Sequence, residues 1–146
     1  MKKLFIYYSF TGNGEVVAKK LSEKGYELRP VKEKKKMPKS FFFSILAGGF
    51  RAGMRIKGRL VNYDNDVSSY DEIIIGSPIW NGRFPPVTNS VLDKTDFSNK
   101  KISFVLYSGS GEGRHALKKI RKLFGDVKVT FLKDPKKYPD QLVKLD

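Results

Sequence analysis

Three apolar runs constrain this chain most, because each leads straight into a turn rich in small polar residues and then into a helix-like stripe. Lys3-Leu4-Phe5-Ile6-Tyr7-Tyr8, Glu72-Ile73-Ile74-Ile75-Gly76 and Lys101 to Tyr107 are almost continuous in aliphatic and aromatic side chains. Runs of this kind suit strands covered on both faces. After the first, Val16, Val17, Ala18 and Leu21 form an apolar stripe within Glu15 to Lys24, and Gly25 is the natural stop. After the second, Pro85 and Pro86 stand where a helix over Pro86 to Lys94 would begin. After the third, His115 to Phe124 reads as helix and ends at Gly125. Tyr26 to Val31 contains Pro30, which marks it as an edge strand. Val127, Val129 and Phe131 alternate as a last strand, and Tyr138 to Leu145 forms a short closing helix.

Strands alternating with helices predict parallel βαβ units, a doubly wound α/β sheet and one domain over residues 1–146. Ligands of such sheets sit beyond the carboxyl ends of the strands, where the winding reverses. Attention therefore falls on the loops Ser9 to Gly14, Ser77 to Gly82 and Ser108 to Gly113.

The first of these places the hydroxyls of Ser9 and Thr11 around Phe10, then Gly12-Asn13-Gly14 at a helix start. A helix N-terminus leaves backbone N–H groups unpaired and carries partial positive charge. Glycines let that backbone wrap an anion, and hydroxyls donate further hydrogen bonds, so a phosphate needs no lysine in the loop. An ordinary strand-to-helix turn capped by Thr11 or Asn13 explains the same residues equally well when the loop is read alone.

The string YYSFTGNGEVVA resembles the flavodoxin phosphate signature, a strand followed by Ser/Thr-x-Thr-Gly-Asn-Thr and a helix. IIIGSPIWNGRFPP is similar to the second flavin loop of that family, and YSGSGEGR corresponds to the loop on the other side of the flavin. The resemblance implies a flavodoxin-like three-layer fold, with a five-stranded parallel sheet in the order 2-1-3-4-5 and flavin mononucleotide (FMN) as cofactor. By position it gives the phosphate to Ser9, Thr11, Gly12, Asn13 and Gly14. Gly14 replaces the usual threonine, so one hydroxyl donor is missing and weaker affinity is expected. Ring contacts fall to Pro78, Ile79, Trp80, Asn81 and Gly82, with Trp80, the single tryptophan, stacked on the isoalloxazine. A Trp80 that plugs the loop into the core is the competing reading. On the far side lie Ser108, Gly109, Ser110, Gly111, Glu112 and Gly113, where the amides of Gly109, Gly111 and Gly113 would reach the ring edge.

Other motifs fail. Gly12-Asn13-Gly14-Glu15-Val16-Val17 lacks the third glycine of a dinucleotide fingerprint, and no P-loop or Gly-x-Ser-x-Gly string occurs. With no cysteine and one histidine, His115, disulfides and thiol catalysis are excluded and no metal site is expected. No side chain stands out as an acid–base catalyst, so none is assigned.

The charge is unusual, with 29 Lys and Arg against 15 Asp and Glu. Over half of the net +14 comes from residues 32–59, whose nine basic residues flank and interrupt the apolar segment Met37 to Met54, with its Phe41-Phe42-Phe43 run. A helix from about Ser40 that covers the sheet is expected there. A lid or partner surface ranks next, and contact with an anionic membrane third. The absence of an export signal and of a long apolar run gives a cytoplasmic expectation, with peripheral membrane contact as an addition. The function expected is that of an FMN-binding redox protein, an electron carrier or small oxidoreductase acting on a redox partner or a small acceptor such as a quinone. The alternative is a flavin-free module whose basic surface binds nucleic acid or an acidic protein. The absence of a nucleic-acid motif disfavours the first of these two partners.

Overall fold

A computed structural model describes residues 1–33 and 60–146. The helix expected from Ser40, and all of the 32–59 segment except Lys32 and Glu33, lie outside the described residues. The elements are β1 (Lys3–Tyr8), α1 (Asn13–Glu23), β2 (Glu27–Val31), β3 (Glu72–Pro78), α2 (Pro86–Lys94), β4 (Lys101–Ser108), α3 (Arg114–Phe124), β5 (Lys128–Lys133) and a closing 3-10 helix, Pro139–Leu145. The five strands form one parallel sheet in the order β2-β1-β3-β4-β5. This is the flavodoxin-like α/β fold expected from the sequence.

Alternation along each strand divides the core into two layers. Leu4, Ile6, Ile73, Ile75, Phe104 and Leu106 face one side, where Val87 and Val91 of α2 and Ala116 and Ile120 of α3 cover them. Phe5, Tyr7, Ile74, Val105 and Tyr107 face the other, against Val17, Ala18 and Leu21 of α1 and Leu145 of the closing helix. Burying a large apolar side chain contributes about 1.5–3 kcal/mol, so the central strands have to be apolar on both faces.

The helix ends follow local chemistry. Gly25, at φ 91, closes α1. Tyr26 N–H donates to the Leu21 carbonyl at 3.1 Å and Gly25 N–H to Ser22 at 3.0 Å, the paired bonds of a Schellman cap. Pro30 sits in β2, which among the described strands pairs with β1 alone and so is an edge strand, the place where a proline is tolerated. From β1 the chain winds one way to β2 and the other way to β3, β4 and β5. The switch point therefore lies between the carboxyl ends of β1 and β3.

Candidate functional site

The loop after β1 turns at Gly12, whose φ of 102 is a left-handed conformation that favours glycine, and α1 begins at Asn13. The N-cap residue, Gly12, makes no side-chain cap bond to this helix. Gly14 N–H bonds Ser9 Oγ at 3.0 Å, whereas the amides of Gly12, Asn13 and Glu15 have no partner among the described residues. Thr11 is exposed, and its hydroxyl is likewise uncommitted among them. These are the donors of an anion nest.

Ser9 and Asn13 behave differently from expectation. Ser9 Oγ accepts the Gly14 amide and donates to the Glu15 carboxylate, so its hydroxyl is used inside the loop. Asn13 Oδ1 accepts the backbone N–H of Lys136 at 2.9 Å. Gly14 is small for a steric reason: a Cβ there would lie 2.5 Å from Ser9 Cβ and 2.8 Å from the Tyr107 hydroxyl. That hydroxyl occupies the space a threonine would need and donates to the Tyr8 carbonyl. Burial, and then the nearby Glu15 charge, raise the Tyr107 phenol well above its ordinary value, so it keeps the proton it donates.

The second loop extends the ladder, with Ile79 N–H bonded to the Tyr107 carbonyl at 3.0 Å. Trp80 and Arg83 then exchange backbone bonds of 2.9 and 3.1 Å around Asn81 at φ 52 and Gly82 at φ 77. Two positive φ values in an Asn-Gly pair make this a type I′ turn, which accounts for both residues. The Gly82 carbonyl accepts Ala116 N–H at 2.8 Å and ties the turn to α3. Pro78, Ile79 and Trp80 are buried. Trp80 is 2% exposed, edge-on to Phe10 at 5.6 Å and to Tyr8 at 6.2 Å. Its ring is thus an element of the core beneath the loop, not an open stacking platform as expected.

The third loop is organised by Ser108. Its Oγ accepts the amides of Gly111 at 2.9 Å and Glu112 at 3.1 Å, and donates to the Glu112 carbonyl. Gly111 N–H is therefore not available to a ring edge. Gly113 is buried against Phe131 and Ile79. The amides of Gly109 and Ser110 remain without a partner among the described residues. No heavy atom comes within 4 Å of where a Gly109 Cβ would stand, so bare backbone is presented there.

A fourth loop, which the sequence reading did not single out, joins the first and third. Asp134 N–H bonds the Ser108 carbonyl at 2.9 Å, while Lys136 N–H bonds Asn13. The Asp134-Pro135 pair after β5 was its only sequence signal, a turn at a strand's carboxyl end.

Two clefts adjoin these loops. One, about 380 Å3, lies beside the first loop between Tyr8, Ser9, Phe10, Glu15, Lys32 and Glu33. Tyr8 donates to the Glu33 carboxylate. Burial raises both groups; the hydrogen bond raises Tyr8 further and partly offsets the rise at Glu33. The other, about 500 Å3, is a basic groove between α2 and α3 lined by Arg83, His115, Lys118, Lys119 and Lys122.

Residues 13–137 match the family described as NADPH-dependent FMN reductase. The chain belongs to this family. Among solved structures, a protein of Bacteroides eggerthii DSM 20697 superposes with a TM-score of 0.73 at 19% identity, covering 97% of this chain and 98% of that one. A flavoprotein from Lactobacillus acidophilus NCFM, in complex with FMN, gives 0.61 at 20% identity over 96% and 97%. Oxidised flavodoxin 2 from Bacillus cereus gives 0.51 at 18% over 99% and 92%. At these identities the likenesses speak for the fold. No curated protein matches.

Membership in the FMN reductase family makes FMN the cofactor of this chain, and the donor set of the loops fits it. The amides of Gly12, Asn13 and Glu15 with the Thr11 hydroxyl suit a phosphate, and the bare Gly109-Ser110 backbone suits the polar edge of a flat ring. No helix among the described residues is long and apolar enough to cross a membrane.

Proposed function

We propose that this chain is an FMN-bearing redox protein that takes reducing equivalents from NADPH and passes them to a small acceptor such as a quinone. The observation that carries this reading is the cluster of amides without a partner among the described residues at the α1 N-terminus, at the sheet's switch point, in a chain of the NADPH-dependent FMN reductase family. Thr11, Gly12, Asn13 and Glu15 hold the phosphate through amides and one hydroxyl, while Ser9 fixes the loop and Gly14 keeps it compact. Phe10 and Trp80 form the aromatic wall of the ring site, with Trp80 behind and Phe10, half-buried, nearer the surface. The Gly109 and Ser110 amides bond the ring edge. When bound, the flavin supplies the electron-transfer chemistry, and the protein orients it and restricts its access to water.

The basic groove beside the Gly82 turn fits an acidic redox partner or the phosphates of a nucleotide donor. A partner or membrane contact through residues 32–59 belongs to the same proposal. The family match speaks against the flavin-free alternative.

The test is anaerobic reduction of FMN-loaded protein. Bleaching of the flavin by NADPH alone, reversed by a benzoquinone, is the expected result. Bleaching only when a separate reductase is supplied would make the chain an electron carrier. Protein that takes up no flavin would overturn both.

A further inference from the structure

The phosphate loop of this chain is short of hydroxyl donors and holds an acid. Ser9 donates to Glu15, Tyr107 donates to Tyr8, and position 14 has no room for a side chain. Thr11 is left as the one uncommitted hydroxyl of the loop among the described residues. The Glu15 carboxylate in the first turn of α1 adds negative charge beside the place a phosphate would take. A phosphate monoester is close to dianionic at neutral pH, and amides with a single hydroxyl offset that charge only in part.

A cation stands at this point. Lys136 Nζ lies 3.4 Å from the Thr11 carbonyl. A Cβ on Gly12, the glycine that turns the loop, would be 3.0 Å from both Nζ and Cδ of Lys136. The lysine is held from its backbone. Its N–H bonds Asn13 Oδ1 at 2.9 Å. The turn that carries it is closed by Lys137 and Tyr138 amides on the Asp134 carbonyl, both at 2.9 Å, and is tied to β4 through Asp134 and Ser108. Its neighbours Lys133 and Lys137 point elsewhere, with their ammonium groups 5.7 and 5.5 Å from the centre of the Tyr138 ring.

We propose that Lys136 is a ligand of the flavin phosphate, supplying the charge and donors that the loop lacks, and that Asn13 is the positioning residue that holds it there. The proposal rests on the reading that the α1 N-terminus takes the phosphate. A small rotamer change moves the ammonium from the Thr11 carbonyl to an anion seated on the Gly12 and Asn13 amides. The asparagine side chain thus serves the site indirectly, by orienting a loop more than a hundred residues away in sequence. One consequence is selectivity by charge, so that FMN is preferred over riboflavin, which carries the same ring without the phosphate.

The experiment measures dissociation constants of FMN and riboflavin for the wild type, Lys136→Met, Lys136→Arg, Asn13→Ala and the Asn13→Ala/Lys136→Met pair. Lys136→Met is expected to weaken FMN about tenfold, the size of one charge-assisted hydrogen bond at a partly exposed site, and to leave riboflavin unchanged. Lys136→Arg should retain most of the affinity. Asn13→Ala should weaken FMN in the wild type but add little once Lys136 is gone. An unchanged FMN affinity in Lys136→Met overturns the proposal, and so does an equal loss for both flavins, which would mark Lys136 as a loop brace. A wild type that binds both flavins alike would instead overturn the phosphate reading on which the proposal stands.

Discussion

At the scale of the residue, Gly14 separates likeness to a motif from fit to a structure. As a string it is a threonine lost from a phosphate signature; in the fold it is a position where any Cβ would force its neighbours to move. Ser9 Cβ and the Tyr107 hydroxyl fill the space at 2.5 and 2.8 Å. Restoring the threonine should therefore harm the protein. Gly14→Thr is expected to cost about 1–3 kcal/mol in thermal or urea unfolding, as over-packing of a tight site does. Adding Tyr107→Phe should recover part of the loss, because it removes one of the two obstructions. A Gly14→Thr protein as stable as the wild type would show that the loop has room to shift.

Among the elements, the loops at the carboxyl ends matter more than the helices and strands that hold them. The Asn81-Gly82 turn sets the path from β3 to α2 and is fastened to α3 by the Gly82 carbonyl. Gly82→Ala forces a side chain onto a φ of 77. Its expected cost is about 1–2 kcal/mol, with faster hydrogen exchange at the Ala116 amide that bonds Gly82. Exchange at Ala116 that does not change would show that the turn is not the anchor.

The same elements show what the sequence could reveal. Strand runs, helix stripes and the Gly25 and Pro30 signals depend on local chemistry, and the doubly wound α/β class followed from them, while the strand order was what the family resemblance implied. The loops after β1, β3 and β4 were legible as places because strand ends fix where a ligand goes. The roles of their side chains were not. Ser9 and Ser108 turn their hydroxyls back into their own loops, Gly111 spends its amide on Ser108, and Trp80 packs inward. Such choices depend on neighbours brought in from other strands. Lys136 was invisible for the same reason. The chain after β5 crosses the α1 face of the sheet, and only that crossing brings it to Asn13.

For the whole molecule, the candidate anion-binding edge and the basic composition belong to one proposal. The net charge of +14 raises the local concentration of phosphorylated ligands, and the Lys136 loop and the α2–α3 groove place part of that charge beside the candidate flavin site. Trp80, the single tryptophan, is buried against Phe10 of the first loop, next to the candidate flavin site, and serves as a label-free probe of it. The most direct measurement is a titration of the protein with FMN, followed by Trp80 emission and by flavin fluorescence together. Both signals should be quenched and should saturate at one FMN per chain, with weaker binding as salt is raised. Unchanged Trp80 and flavin fluorescence up to about 0.1 mM FMN at low salt would contradict the assignment of a flavin site.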